Sequence, residues 1–182
     1  MIKHLPNAIT IFRFALIPVI SVMMLSDKSQ KSLIGLSIPC ILFIIAAISD
    51  FLDGFLARKL NAESKFGIFF DNIADKLLNI SLICILIKND GIWLVPAIIA
   101  ISREILISSL REYMALNLSV KVPVDIYGKI KTAMQFIALA IIIQACFSGS
   151  QMQNLIGNAV FTISVIISVI SAVLYTSVFF KK

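Results

Sequence analysis

Charge is what this chain has least of. Charged side chains make up 14% of its 182 residues and apolar ones 59%, where an ordinary soluble domain carries about a quarter charged and about half apolar. The shortfall excludes a water-facing globule and predicts an integral membrane protein. Other absences narrow the reading. No basic face interleaved with aromatics occurs, so the net charge of +6 suits anionic lipid headgroups and excludes nucleic acid as a partner. Cys40, Cys84 and Cys146 have apolar neighbours and a spacing that fits no metal motif, so buried thiols are expected. No small-residue cleavage site follows the first apolar stretch, which is expected to be retained. Repeats and low-complexity tracts are missing, and no polar joint is long enough to hold a second domain. Residues 1–182 are read as one domain.

What is present is a series of six apolar segments, at 8–25, 33–57, 66–87, 91–116, 128–147 and 155–180. Each is near the ~20 residues that cross about 30 Å of hydrocarbon as a helix. None alternates with the period of two that a barrel strand requires, so the expected fold is all-α, with six transmembrane helices. Basic residues orient them. With the N-terminus inside, Lys3, Arg13, Arg58, Lys59, Lys65, Arg111, Lys121, Lys129, Lys131, Lys181 and Lys182 share one side, against Lys28, Lys31 and Lys88 on the other. That asymmetry predicts both termini and the joints 58–66 and 112–128 on the cytoplasmic side. Segment 155–180 has no acid or base before Lys181 and is expected only to pack, or to face lipid or a partner subunit. Trp93 opens a span, an interfacial position.

The few acids are concentrated. The stretch "SDFLDGFLARKLNAESKFGIFFDNIADK", residues 49–76, holds Asp50, Asp53, Asp71 and Asp75. Positions 50, 53, 54, 57 and 58 form one helical stripe of Asp, Asp, Gly, Ala and Arg; positions 64, 67, 71 and 75 form a second of Ser, Gly, Asp and Asp. The short joint predicts antiparallel neighbours, and folding about residue 62 sets Asp53 level with Asp71 and Asp50 level with Asp75. At the rise of a helix these acids lie roughly 7–12 Å below the cytoplasmic helix ends. Gly54, Ala57 and Gly67 permit close backbone approach. Four bare carboxylates at this spacing repel one another. Divalent cations remove the difficulty, and clustered hard oxygen donors suit Mg²⁺ or Mn²⁺, two of them about 3.5–4 Å apart clamping a phosphoryl displacement. Helix caps or pairing with Lys and Arg are the ordinary uses of such acids, and a divalent-cation carrier is the rival function. The far halves of the same helices, "IPCILFIIAAI" and "LLNISLICILI", are apolar and offer a carried ion no exit.

The pattern Asp50-x-x-Asp53-Gly54-x-x-Ala57-Arg58, eight residues, then Gly67-x-x-x-Asp71-x-x-x-Asp75 resembles the signature of the CDP-alcohol phosphotransferases. All eight signature residues stand at the family's spacing, and six spans match the family's length. "LPNAITIFRFALIP", "SREILISSLRE" and "GKIKTAMQ" are similar to the branch whose acceptor is sn-glycerol 3-phosphate. Asn72 stands where that branch often has Pro, and Ser109 where Gly is common. The resemblance implies transfer of the phosphatidyl group of CDP-diacylglycerol to the acceptor alcohol, with CMP leaving. It implies two Mg²⁺ or Mn²⁺ ions on Asp50, Asp53, Asp71 and Asp75, with Asp75 as general base. It places Gly54, Ala57, Arg58, Ser64 and Gly67 at the CDP site. Asn7, Thr10 and Arg13 are candidates at the same mouth, their ordinary uses being a helix cap and an arginine reaching for headgroups. A homodimer in the bacterial cytoplasmic membrane is a further family expectation.

An acceptor phosphate requires cations, and Arg103, Arg111, Lys129 and Lys131 are the candidates. Arg103 and Arg111 share one helical face, two turns apart. Arg103 is too deep in its span to reach the surface easily and requires an anionic partner, a substrate or an intramembrane acid. Lys129 and Lys131 also serve as plain positive-inside anchors. "YGKIKT" lacks the upstream glycine of a phosphate-cradling loop. Another polyol phosphate, such as inositol phosphate, would fill the same cationic cavity. An intramembrane prenyltransferase also uses aspartate-rich helices, but with other spacings in longer chains.

Overall fold

The computed structural model describes residues 5–26, 36–59, 65–117 and 126–180; backbone alone is described at 5–14, 50–59, 65–72, 75, 115–117, 126, 127, 129 and 177–180. Among the described residues there are six α-helices and no β-strand: α1 (Leu5–Leu25), α2 (Ile38–Lys59), α3 (Lys65–Lys88), α4 (Leu94–Asn117), α5 (Ile126–Ser148) and α6 (Gln151–Phe180). Every apolar segment of the sequence becomes one helix. Two stretches, Ile130–Ser148 and Gln151–Thr176, are long and apolar enough to cross a membrane; α1 and α2 carry shorter apolar runs, Ala15–Leu25 and Ile38–Ser49.

The helices group into two units. The first comprises the chain up to Gly91 with Ile143–Gly149, the second Ile92–Ile142 with the chain from Ser150 onward. In the first unit α1 packs against both α2 and α3. Its buried residues Leu16, Ile20 and Met24 recur every fourth position. The buried stripe of α2 runs through Cys40, Phe43 and Ala46, and that of α3 through Ala74, Leu78, Leu82 and Leu86. Asn89 Nδ2 donates to the Met24 carbonyl at 3.1 Å, tying the C-terminal ends of α3 and α1 together. α3 stops there because Asp90 takes a left-handed conformation (φ 53°). Gly91 N–H then reaches back to Leu86 O at 2.9 Å and Asp90 N–H to Ile87 O at 3.1 Å, the paired bonds of a Schellman terminus. Cys40 is buried as expected, but Cys84 is exposed, since it falls opposite the Leu78–Leu82–Leu86 stripe.

In the second unit the contacts between α4 and α6 keep a nearly constant offset. Trp93 N–H donates to Asn158 Oδ1 at 2.7 Å, Arg103 Nε to the Ser168 carbonyl at 3.1 Å, and the Arg111 guanidinium lies 5.5 Å from the centre of the Tyr175 ring. Such an offset means parallel helices. α5 runs antiparallel to them, because Lys131 near its start meets Glu104 of α4, while Ile142 further along meets Gly157 near the start of α6. α6 is therefore more than the packing or lipid-facing segment expected from its lack of charge. It also begins earlier than its apolar run. Gly149 takes φ 68° and closes α5 through a bond to Ala145 O at 2.9 Å. Ser150 then caps α6, its Oγ accepting from Gln153 N–H at 3.4 Å.

Around an apolar core the second unit also buries polar side chains and exposes large apolar ones. Gln135, Asn158, Ser164, Ser168 and Ser171 are buried, while Val95, Ile98, Ile163, Ile166 and Val173 are exposed. Water disfavours that arrangement, and hydrocarbon favours it, because polar groups there must find partners inside the protein. Close helix approach supports the packing. A Cβ added at Gly157 would lie 2.6 Å from Ile142 Cγ1 and 3.3 Å from the Ile142 backbone nitrogen. Gly157→Val is expected to destabilise the fold by about 2 kcal/mol, the scale of overpacking. Thermal unfolding in detergent checks this, and an unchanged midpoint would refute the close approach.

Candidate functional site

The two groups of candidate residues belong to different units and are taken in turn. In the first unit, Asp50 and Asp53 fall in the last ten residues of α2, and Asp71 and Asp75 in the first eleven of α3. Their side chains lie outside the described residues, but their register positions are informative. On α2 the line of buried residues Phe43 and Ala46 continues, at helical spacing, through 50, 53 and 57. On α3 the line Leu86, Leu82, Leu78 continues backwards through 75 and 71, with Ala74, fully buried, beside it. Both aspartate pairs thus occupy the extension of the face that each helix buries in the core. Gly54, Ala57 and Arg58 fall in the same part of α2, and Gly67 in the first turn of α3. Asn7, Thr10 and Arg13 fall in the first half of α1. The side chains of all these residues lie outside the described ones, as does Ser64 altogether.

The donors in residues 49–76 are five carboxylates, the four aspartates on the helices and Glu63 in the joint, with no histidine or cysteine. Oxygen-only donors on two helices fit a hard divalent cation such as Mg²⁺ or Mn²⁺ better than zinc or copper. Among the residues whose side chains are described, no group of three potential metal ligands occurs.

In the second unit the structure brings two of the four cationic candidates together. Glu104, at the middle of α4, accepts from Lys131 Nζ at 2.5 Å and from Arg103 Nη1 at 3.4 Å, both on its Oε2. The side chains of Arg103 and Lys131 are only 10% and 8% exposed. Arg103 is fixed at a second point by the Ser168 carbonyl, and Ser168 Oγ is itself buried without a hydrogen-bond partner among the described residues. Lys131 sits five residues into α5, about 8 Å along its axis. Arg111 stacks over the face of Tyr175 and is close enough to act electrostatically on both Glu104 and Arg103. Lys129 is on the first turn of α5 with its side chain outside the described residues.

Glu104, Ser168 and Tyr175 went unnoticed in the sequence. Glu104 left one signal: it is the sole acid between Asp90 and Glu112, beside an arginine that required an intramembrane partner. The carbonyl of Ser168 leaves no signal in sequence, since every residue has one.

Comparison with known proteins identifies a family and relatives of the chain. Residues 3–175 match a family described as CDP-alcohol phosphatidyltransferase. A Rickettsia felis protein named CDP-diacylglycerol–glycerol-3-phosphate 3-phosphatidyltransferase is 38% identical over 95% of this chain and 93% of its own length. A Rickettsia typhi protein of the same name is 38% identical over 95% of each chain. One from Haemophilus influenzae, also so named, is 40% identical over 75% of this chain and 73% of its own.

Proposed function

The chain belongs to the CDP-alcohol phosphatidyltransferase family, and from that membership we propose that it moves the phosphatidyl group of CDP-diacylglycerol to sn-glycerol 3-phosphate. The products are phosphatidylglycerol phosphate and CMP. Relatives bearing that activity in their names, aligned over nearly the whole chain, support the choice of donor and acceptor. The observation that carries the chemistry is the register of the four aspartates, in line with the buried faces of α2 and α3.

Asp50, Asp53, Asp71 and Asp75 would hold two Mg²⁺ or Mn²⁺ ions. Bound there, the ions supply charge neutralisation at the diphosphate and at the departing CMP. Asp75 takes the proton of the acceptor hydroxyl. That oxygen bonds to the phosphorus carrying diacylglycerol as the P–O bond to CMP breaks, so the electron pair leaves on the CMP phosphate. Gly54, Ala57, Gly67 and Ser64 line the CDP site, with Asn7 and Thr10 beside it, and Arg58 meets phosphate with its planar fork. Arg103, Arg111, Lys129 and Lys131 bind the acceptor phosphate. Six apolar segments would span the bacterial cytoplasmic membrane, and the eleven-to-three division of Lys and Arg supports placing both termini and the catalytic aspartates on the cytoplasmic side. The working form is a homodimer.

Detergent-solubilised protein given Mn²⁺, CDP-diacylglycerol and glycerol 3-phosphate is expected to release CMP, and chelation by EDTA to stop it. Release with inositol phosphate alone would reassign the acceptor. No CMP with either acceptor would overturn the proposal.

A further inference from the structure

Glu104 has no place in the mechanism above, yet it is the anion on which two of the proposed acceptor ligands converge. One carboxylate oxygen receives Lys131 Nζ from α5 and Arg103 Nη1 from α4. We infer that Glu104 is a positioning residue for the acceptor phosphate: it holds Arg103 and Lys131 as a pre-formed pair of donors, rather than serving merely as the ion pair that lets Lys131 be buried. The inference rests on the reading of Arg103 and Lys131 as acceptor ligands.

The argument starts from cost. Two cations with side chains about nine-tenths buried repel each other, and each loses its hydration. A single anion between them removes the repulsion and fixes where they sit. The geometry is that of a support. Arg103 is anchored at both ends of its guanidinium, Nε on the Ser168 carbonyl and Nη1 on Glu104. Guanidinium has five N–H groups, and these bonds use two. Among the described residues the Nη2 group has no partner, so the fork is held in place with donors to spare. Lysine brings a point charge on a flexible stem, which one short bond to Glu104 restrains. These three charges sum to one positive, and Arg111, which acts on both Arg103 and Glu104, adds another, so the cluster still attracts a phosphate monoester. Pre-organised donors bind more tightly because their ordering is already complete before the ligand arrives.

The experiment is steady-state kinetics in detergent with each substrate varied in turn. Glu104→Gln keeps the shape and removes the charge. It is expected to raise the KM for glycerol 3-phosphate about tenfold, the scale of one charge-assisted bond, with the KM for CDP-diacylglycerol unchanged. Glu104→Asp, one methylene shorter, should fall between wild type and Gln. The double variant Glu104→Gln/Lys131→Met removes both members of the shorter ion pair and leaves Arg103 on the Ser168 carbonyl, so it relieves any effect that comes only from stranding the Lys131 charge. Under the inference its acceptor KM stays at least as high as that of Glu104→Gln. Return of the double variant to the wild-type KM would overturn the inference, as would an unchanged or lowered acceptor KM in Glu104→Gln. Absence of CMP release by the wild type with glycerol 3-phosphate would instead sink the functional reading on which it rests.

Discussion

Asp75→Asn is expected to lower CMP release by at least about a thousandfold while leaving the protein folded. General-base contributions run to about 10²–10⁴, and Asp75 is also a proposed metal ligand, so the loss belongs toward the upper end. Asparagine matches aspartate in shape and keeps one carbonyl oxygen, so packing around position 75 is little disturbed. What it loses is the negative charge and the capacity to take a proton. The sign of the stability change is a second test. Four carboxylates without metal repel, so the variant should unfold at a higher temperature than wild type in EDTA. With Mn²⁺ added, the wild type should gain more than the variant, since ligand binding stabilises in proportion to affinity for the folded state. Near-normal turnover would remove Asp75 from its role. An unchanged response to Mn²⁺ alongside lost turnover would keep the base and discard the ligand.

The aspartates could be found from sequence because their relation is local. Two stripes at helical spacing, on either side of a short joint, need only the periodicity of a helix to be seen. The same periodicity recovered each helix, since a long apolar run without alternation has few other solutions in hydrocarbon. Helix ends were less legible. α6 starts at Gln151 within a polar stretch, because Gly149 and Ser150 terminate one helix and cap the next in two residues. α4 starts at Leu94, just after Trp93, whose own backbone N–H is tied to Asn158. These are decisions of capping chemistry and tertiary contact, which hydropathy does not register.

The cationic cluster was legible in part for the opposite reason. Arg103 announced itself as a charge too deep to stay alone, and one of its partners, Glu104, is the next residue. The others are remote: the Ser168 carbonyl lies 65 residues from Arg103, and Lys131 lies 27 residues from the Glu104 that it shares with Arg103, so only helix packing brings them to one level. Arg111 shares the face of Arg103, yet its close contact is an aromatic ring on α6, and it meets Glu104 only through its field. Shared helical face was a correct guide to direction and a poor guide to partner.

Arg103→Ala is expected to raise the KM for glycerol 3-phosphate by about ten- to a hundredfold, the range for losing a bond between charged groups, and to leave the KM for CDP-diacylglycerol near its wild-type value. The protein should tolerate the change. Glu104 keeps Lys131 as its counter-ion, so no buried acid is stranded, and the Ser168 carbonyl loses one donor at the edge of the cluster. Arg103→Lys is expected to rescue poorly. A single ammonium cannot hold Ser168 and Glu104 through separate atoms of a rigid plane while presenting further donors to phosphate. The split between the two KM values decides the matter. A residue that only braces α4 against α6 would disturb both substrates together or lower the unfolding temperature without changing either constant. An acceptor KM unmoved by Arg103→Ala would return Arg103 to the status of a structural tie and leave Arg111, Lys129 and Lys131 to hold the phosphate.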